Sequence, residues 1–223
     1  MKSWALLLFC FLALPALADA PPPMAGAGVL VRNGKADCSA ALIAPDLLAT
    51  AGHCISGKKL SDEYTVVFRT GAYPGHPSVE RQAVAQHVHP LFLAGRSIEN
   101  KNLGSDIGLI RLAEPIPDTV ARPFALVSAA EAGERVLIAS YPGGAGERAR
   151  ERKCPVLDLR STIMLLSCVV IPGESGGPVV RITEGEPELL GIVVATGRDG
   201  HQPFGYAVLS QARLGQMRAI FAP

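Results

Sequence analysis

The sequence predicts an all-β protein, of barrel or sandwich type, closed by one helix. Apolar, β-branched stretches recur at 28–32, 37–44, 47–50, 65–69, 82–88, 107–112, 135–140, 155–159, 163–170, 178–182, 189–195 and 204–208. Turn residues separate many of them, among them Asn33-Gly34, Pro45-Asp46, Pro142-Gly143-Gly144, Glu184-Gly185-Glu186-Pro187 and Asp199-Gly200. Composition agrees: 23 Gly and 18 Pro in 223 residues supply the turns, and 48% hydrophobic against 18% charged residues supplies a core.

In chain order, residues 1–20 read as a secretory signal. Met1-Lys2 gives a positive start, Trp4 to Leu14 an apolar centre too short to span a bilayer, and Ala18-Asp19-Ala20 small residues for signal peptidase. Phe9 before Cys10 argues against a lipidated cysteine. Beyond residue 20 no apolar run is long enough to cross a membrane. The Pro-containing stretch 113–123 divides the strands about evenly. It is the expected boundary between an amino-terminal barrel, 21–117, and a carboxy-terminal barrel, 118–223. Leu214, Met217, Ile220 and Phe221 recur at helical spacing, so 211–221 is expected to be a helix with Ser210 as its N-cap.

Lys and Arg number 21 and Asp and Glu 20. A net charge of +1 offers nothing to nucleic acid or an anionic membrane. Removing residues 1–20 takes away one base and one acid and leaves that balance. It also leaves Cys38, Cys54, Cys154 and Cys168, an even number in an exported chain, which suggests two disulfides. Of the three pairings, 38–54 and 154–168 close short loops and are expected. A zinc site is the alternative, disfavoured because neither spacing resembles paired ligand knuckles.

Three local motifs carry chemistry. Thr50-Ala51-Gly52-His53-Cys54 surrounds a histidine with small residues and a cysteine able to pin the turn. Ser105-Asp106-Ile107-Gly108 sets an acid before a strand; alone it would be a cap residue, and a catalytic reading needs a histidine partner. Gly173-Glu174-Ser175-Gly176-Gly177-Pro178 would otherwise be a surface loop. Its glycines, however, let backbone N–H groups approach a reacting carbonyl beside a serine. Gly173-x-Ser175-x-Gly177 also fits the α/β-hydrolase elbow, but that fold needs its acid and histidine after the serine, where only Asp199 and His201 follow.

The order His53, Asp106, Ser175 is that of trypsin and chymotrypsin. With all three motifs in an export-directed, β-rich chain, the sequence resembles the trypsin-like (chymotrypsin-fold) serine peptidases over nearly its whole mature length. His89-Pro90 before the Asp motif concurs, and Tyr141-Pro142-Gly143 with Cys154…Cys168 is similar to the bacterial branch that includes glutamyl endopeptidases. The resemblance implies two six-stranded antiparallel β-barrels with a carboxy-terminal helix and a site in the cleft between them. Ser175 would be nucleophile, His53 general base, Asp106 its orienting acid, and the N–H groups of Gly173 and Ser175 the oxyanion hole.

Departures from the family bear on specificity. Val194 falls where a Ser commonly contacts the catalytic Asp, and Ala195 where a Trp walls the pocket. Val169 stands six residues before Ser175, where Arg/Lys selection needs an Asp, and Val193 where glutamyl enzymes carry His. A pocket of Val169, Val193 and Val194 favours uncharged residues at the cleaved position. Glu174 replaces the Asp that in many relatives pairs with a terminus freed by zymogen cleavage. It must be exposed, paired with Arg or Lys, or paired with the amine left by signal peptidase, and in each case no activating protease is needed. His87-Val88-His89 reads as surface or packing, and Glu147–Lys153 as a solvated mixed-charge loop.

The functional expectation is a secreted or periplasmic serine endopeptidase acting on protein or peptide substrates, without metal or cofactor. Neither nucleic acid nor a membrane is expected as a partner, and a monomer is the expected state. An inactive homologue serving as a binding module is the alternative, and the complete triad speaks against it.

Overall fold

The structure, a computed structural model, describes residues 20–57, 59–95, 100–127, 130–199 and 201–221. The expected signal, apart from Ala20, lies outside them. β1 (Ala27–Arg32), β2 (Lys35–Ala44), β3 (Leu47–Thr50), β4 (Val66–Thr70), β5 (Glu80–Val88) and β6 (Gly108–Leu112) form a closed antiparallel barrel in the order β1-β2-β3-β6-β5-β4. Pairing of β4 back onto β1, Gly28 opposite Thr70 through Arg32 opposite Val66, closes it. Asn33-Gly34 joins β1 to β2 with φ of 46° and 77°, the two positive values that a tight hairpin turn requires.

A second closed antiparallel barrel follows. β8 (Arg135–Ser140), β9 (Arg150–Arg160), β10 (Ile163–Leu166), β11 (Pro178–Thr183), β12 (Glu186–Asp199) and β13 (Gln202–Leu209) run in the order β11-β8-β9-β10-β13-β12. The β11–β12 pairing closes that circuit. A two-residue strand that the sequence pattern does not signal, β7 (Ala125–Leu126), adds to β12 in parallel. The two-barrel, all-β expectation is therefore met. One core cluster spans both barrels and takes in Leu30, Leu48 and Phe68 from the first, Val180 and Ile192 from the second, and Leu214 and Met217 from the closing helix. A smaller one, with Val136, Ile138, Met164, Val179 and Val193, fills the second barrel. Each such side chain, fully buried, contributes about 1.5–3 kcal/mol of transfer free energy.

Three local expectations are corrected. Residues 150–153 are strand, not loop: their charges sit on β9, which pairs with β8 from Arg135↔Pro155 to Ser140↔Arg150. β12 does not stop at Ala195 but runs through Thr196-Gly197-Arg198-Asp199, because β13 pairs with all of them. The last helix, Ser210–Arg218, has Leu209 at its N-cap. The Ser210 hydroxyl is buried and donates to the Leu189 carbonyl at 2.9 Å instead of capping. This helix also reaches the first barrel, where Arg213 Nε donates to the Gly104 carbonyl at 2.9 Å.

Candidate active site

Strand register brings the histidine and the acid together. β3 pairs with β6, Thr50 opposite Gly108. Three residues beyond Thr50 is His53, on a one-turn helix, α1 (Gly52–Ile55). Two residues before Gly108 is Asp106. A Cβ on Gly52 would stand 3.0 Å from the Ile107 nitrogen and 3.1 Å from Asp106 Oδ1, so a larger residue would press the turn and the acid apart by a few tenths of an ångström.

Asp106 is 6% exposed and spends both oxygens on one partner. Oδ1 accepts the backbone N–H of His53 at 2.7 Å, and Oδ2 lies 2.7 Å from His53 Nδ1. A carboxylate only accepts, so Nδ1 carries the hydrogen and Nε2 of the neutral ring presents a lone pair. The His53 side chain is 40% exposed and can meet a reactant. Cys38–Cys54 bonds α1 to β2, and Cys154–Cys168 joins β9 to the segment before the serine loop. The pairings are those expected.

Ser175 sits on the loop ahead of β11, and that loop is held from both barrels. From the second, Gly176 N–H donates to the Val193 carbonyl at 2.7 Å and Gly177 N–H to the Glu174 carbonyl at 3.0 Å. From the first, Ser39 on β2 donates its N–H to the Ser175 carbonyl at 2.7 Å and its hydroxyl to the Gly173 carbonyl at 2.8 Å. The same hydroxyl accepts the Tyr141 N–H at 2.9 Å, and the Ser39 carbonyl accepts the Thr50 hydroxyl at 2.8 Å. Gly176, at φ 89°, lies so close that a Cβ would fall 1.9 Å from the Ser39 carbonyl oxygen. No sequence signal marks Ser39 beyond its place after Cys38.

The Ser175 hydroxyl is within 3.4 Å of the Val194 carbonyl, its acceptor. Among the described residues, the N–H groups of Gly173 and Ser175 have no protein acceptor. Gly173 is at φ 91°, packed against Tyr141, Gly143 and Gly144. Glu174 is fully buried: Oε2 lies 2.7 Å from Arg152 Nη2 and accepts the Ile171 N–H at 2.9 Å, while Oε1 accepts the Ser140 hydroxyl at 3.2 Å. Of the three expectations for Glu174, the structure has the pairing with a basic side chain.

A cleft of about 230 Å³ opens at the His53–Asp106 pair, with Phe92, Leu103, Val194 and Ala195 in its walls, so both barrels line it. Of the three valines assigned to the specificity pocket, Val194 lines this cleft, Val193 packs inside the second barrel, and Val169 is half-buried with its carbonyl accepting from Arg152 Nη1 at 3.1 Å. Ligand atoms of Cys38, His53 and Cys54 gather within 4.8 Å of one another, but the two sulfurs are bonded together, which leaves one free donor for any metal.

His87 is half-buried and His89 is 3% exposed. Burial, the nearby Arg213 charge and His87 hold the His89 imidazole below its ordinary pKa, against a hydrogen bond with Gln216 that favours the charged form. No helix among the described residues is long and apolar enough to cross a membrane.

A sequence profile of the family described as Trypsin matches residues 22–213. The comparison with individually curated proteins gives no match.

Proposed function

Since the chain belongs to the trypsin family of serine peptidases, we propose that it is itself an active endopeptidase, with His53, Asp106 and Ser175 as its reacting set. The observation that carries the reading is the double grip of Asp106 on the N–H and Nδ1 of His53, which fixes the tautomer a general base needs. His53 Nε2 takes the Ser175 proton as Oγ attacks the peptide carbonyl. The tetrahedral oxyanion is met by the N–H groups of Gly173 and Ser175. His53 then gives the proton to the departing amine, leaving an acyl-enzyme that water opens by the same path.

The substrate is a protein or peptide, cleaved after an uncharged residue. Val194 and Ala195 supply an apolar wall, and Val169 offers no carboxylate to an Arg or Lys. Kinship with the glutamyl branch rests on Tyr141-Pro142-Gly143 and Cys154…Cys168 alone and does not carry a preference for Glu. Export is read from residues 1–20 and agrees with two disulfides.

A fluorophosphonate probe on protein expressed from residue 21 tests the function. Labelling that Ser175→Ala abolishes supports it. Folded protein that takes no label would make the chain a binding module.

A further inference from the structure

A larger concavity beside the cleft has no part in the proposed reaction. It is a groove of about 660 Å³ whose walls include Ile55, Leu60, Val84, Val88 and Phe92, with Lys59 among its lining residues. Ile55 ends the same helical turn that carries His53. Phe92 lines both groove and cleft, so the two share a wall.

The groove is unusually apolar for an exposed surface. Val84, a wall residue, is 58% exposed, more than any other large apolar side chain among the described residues except Leu91, which adjoins the wall residue Phe92 in sequence and lies outside the groove's walls. Such a patch is costly to leave in water and marks a contact surface. Lys59 is exposed and makes no ion pair among the described residues.

We propose that this groove docks the polypeptide substrate at a distance from the reacting residues. It takes an apolar side chain and sets a neighbouring carboxylate on Lys59. The inference rests on the peptidase reading. The shared Phe92 makes the groove the next surface available to a chain already held in the cleft. A tethered segment binds at a high effective concentration, so even a weak contact lowers KM. The volume is that of a pocket for a few side chains, whereas subunit interfaces are broad.

The test uses three peptides with one common cleavable core: the core alone, the core extended by six residues containing Leu-Glu-Leu, and the core extended by six Gly and Ser residues. The extension is placed on either side of the core in turn. On one side, the apolar-acidic extension should raise kcat/KM about 10-fold over the Gly-Ser control, mostly through KM. Val84→Glu should bring that ratio to about 1, and Lys59→Glu should reverse the preference for Glu over Lys in the extension. If the core is cleaved but the extension gains nothing, or the ratio survives Val84→Glu, the proposal falls while the peptidase reading stands. Binding of the labelled extended peptide to Ser175→Ala protein separates the two. If no peptide is cleaved, binding lost on Val84→Glu keeps the groove and sinks the peptidase. A dimer in sedimentation that Val84→Glu dissociates would assign the groove to a second copy and overturn the proposal.

Discussion

Arg152 Nη2 stands 2.7 Å from Oε2 of Glu174, the residue immediately before Ser175, and Glu174 is fully buried. The arginine comes from β9 and is itself only 21% exposed at its side chain. Its other terminal nitrogen donates to the Val169 carbonyl, so one guanidinium ties the strand to the segments on both sides of the Ile171-Pro172-Gly173 turn. The desolvation that burial of Glu174 demands is offset from within the chain, with no need of a terminal amine.

Arg152→Met should therefore leave a buried carboxylate unpaired and destabilise the protein by about 3–5 kcal/mol. Adding Glu174→Gln should recover much of the loss, and chemical denaturation of the two variants checks it. A double variant no more stable than the single one would show that the pair is not what holds the loop.

The same contact predicts activity without a second cleavage. Protein beginning at Pro21 should turn over substrate once its disulfides have formed. Amino-terminal mass spectrometry alongside the assay decides this: inactive protein that gains activity only on cleavage within residues 21–30 would contradict it.

His53→Ala and Ser175→Ala should each lower kcat by roughly 10⁴–10⁶, and the double variant should cost little more, because the two act as a unit. Losses that multiplied would place the residues in separate steps.

Ser39→Ala would orphan the Gly173 carbonyl and the Tyr141 N–H at once, a cost of about 1–3 kcal/mol. If the hydroxyl positions the loop, kcat should fall while KM stays near its original value. Ser39→Thr, which keeps the hydroxyl, should rescue part of it if β2 accommodates the added methyl. Equal stability loss with unchanged kcat would make the contact structural only.

His89 predicts a pH dependence of stability. Its Nδ1 accepts the Leu91 N–H at 3.3 Å, which requires that atom unprotonated, and Arg213, Gln216 and His87 are the polar and charged groups about it. The folded pKa lies below the ordinary 6.5, so on acidification the unfolded chain takes the proton first. This contribution is present above about 6.5 and is lost as pH falls through the folded value. Thermal midpoints between pH 7.5 and 5 should fall less steeply in His89→Asn than in the original protein.

Most of the fold was legible because barrel strands leave their mark locally: β3 and β8 match the apolar stretches 47–50 and 135–140 end for end. What was hidden depends on partners distant in sequence. Arg150 to Lys153 reads as a solvated loop since four charged residues in a row carry no strand pattern, yet β8 pairs with each and Glu174 lies 22 residues on to receive Arg152. Gly197 reads as a strand end, yet the rings of Phe204 and Tyr206 close over it and continue the ladder. Around the candidate site, the His, Asp and Ser motifs announce themselves by glycines and small neighbours. Ser39 has no such signature, because its importance arises only when the fold brings to it Gly173, 134 positions further along the chain.

The bond between Ser39 and Ser175 also bears on when the site can exist. His53 and Asp106 need only the first barrel, which is complete once β6 has formed. The serine loop also closes on Val193, so part of its support comes from chain made after Ser175. A nascent chain long enough to contain His53, Asp106 and Ser175 still lacks Val193, which bonds the serine loop at Gly176 and Gly177. On the peptidase reading proposed above, hydrolytic competence would therefore come only after the chain beyond Ser175 has been made.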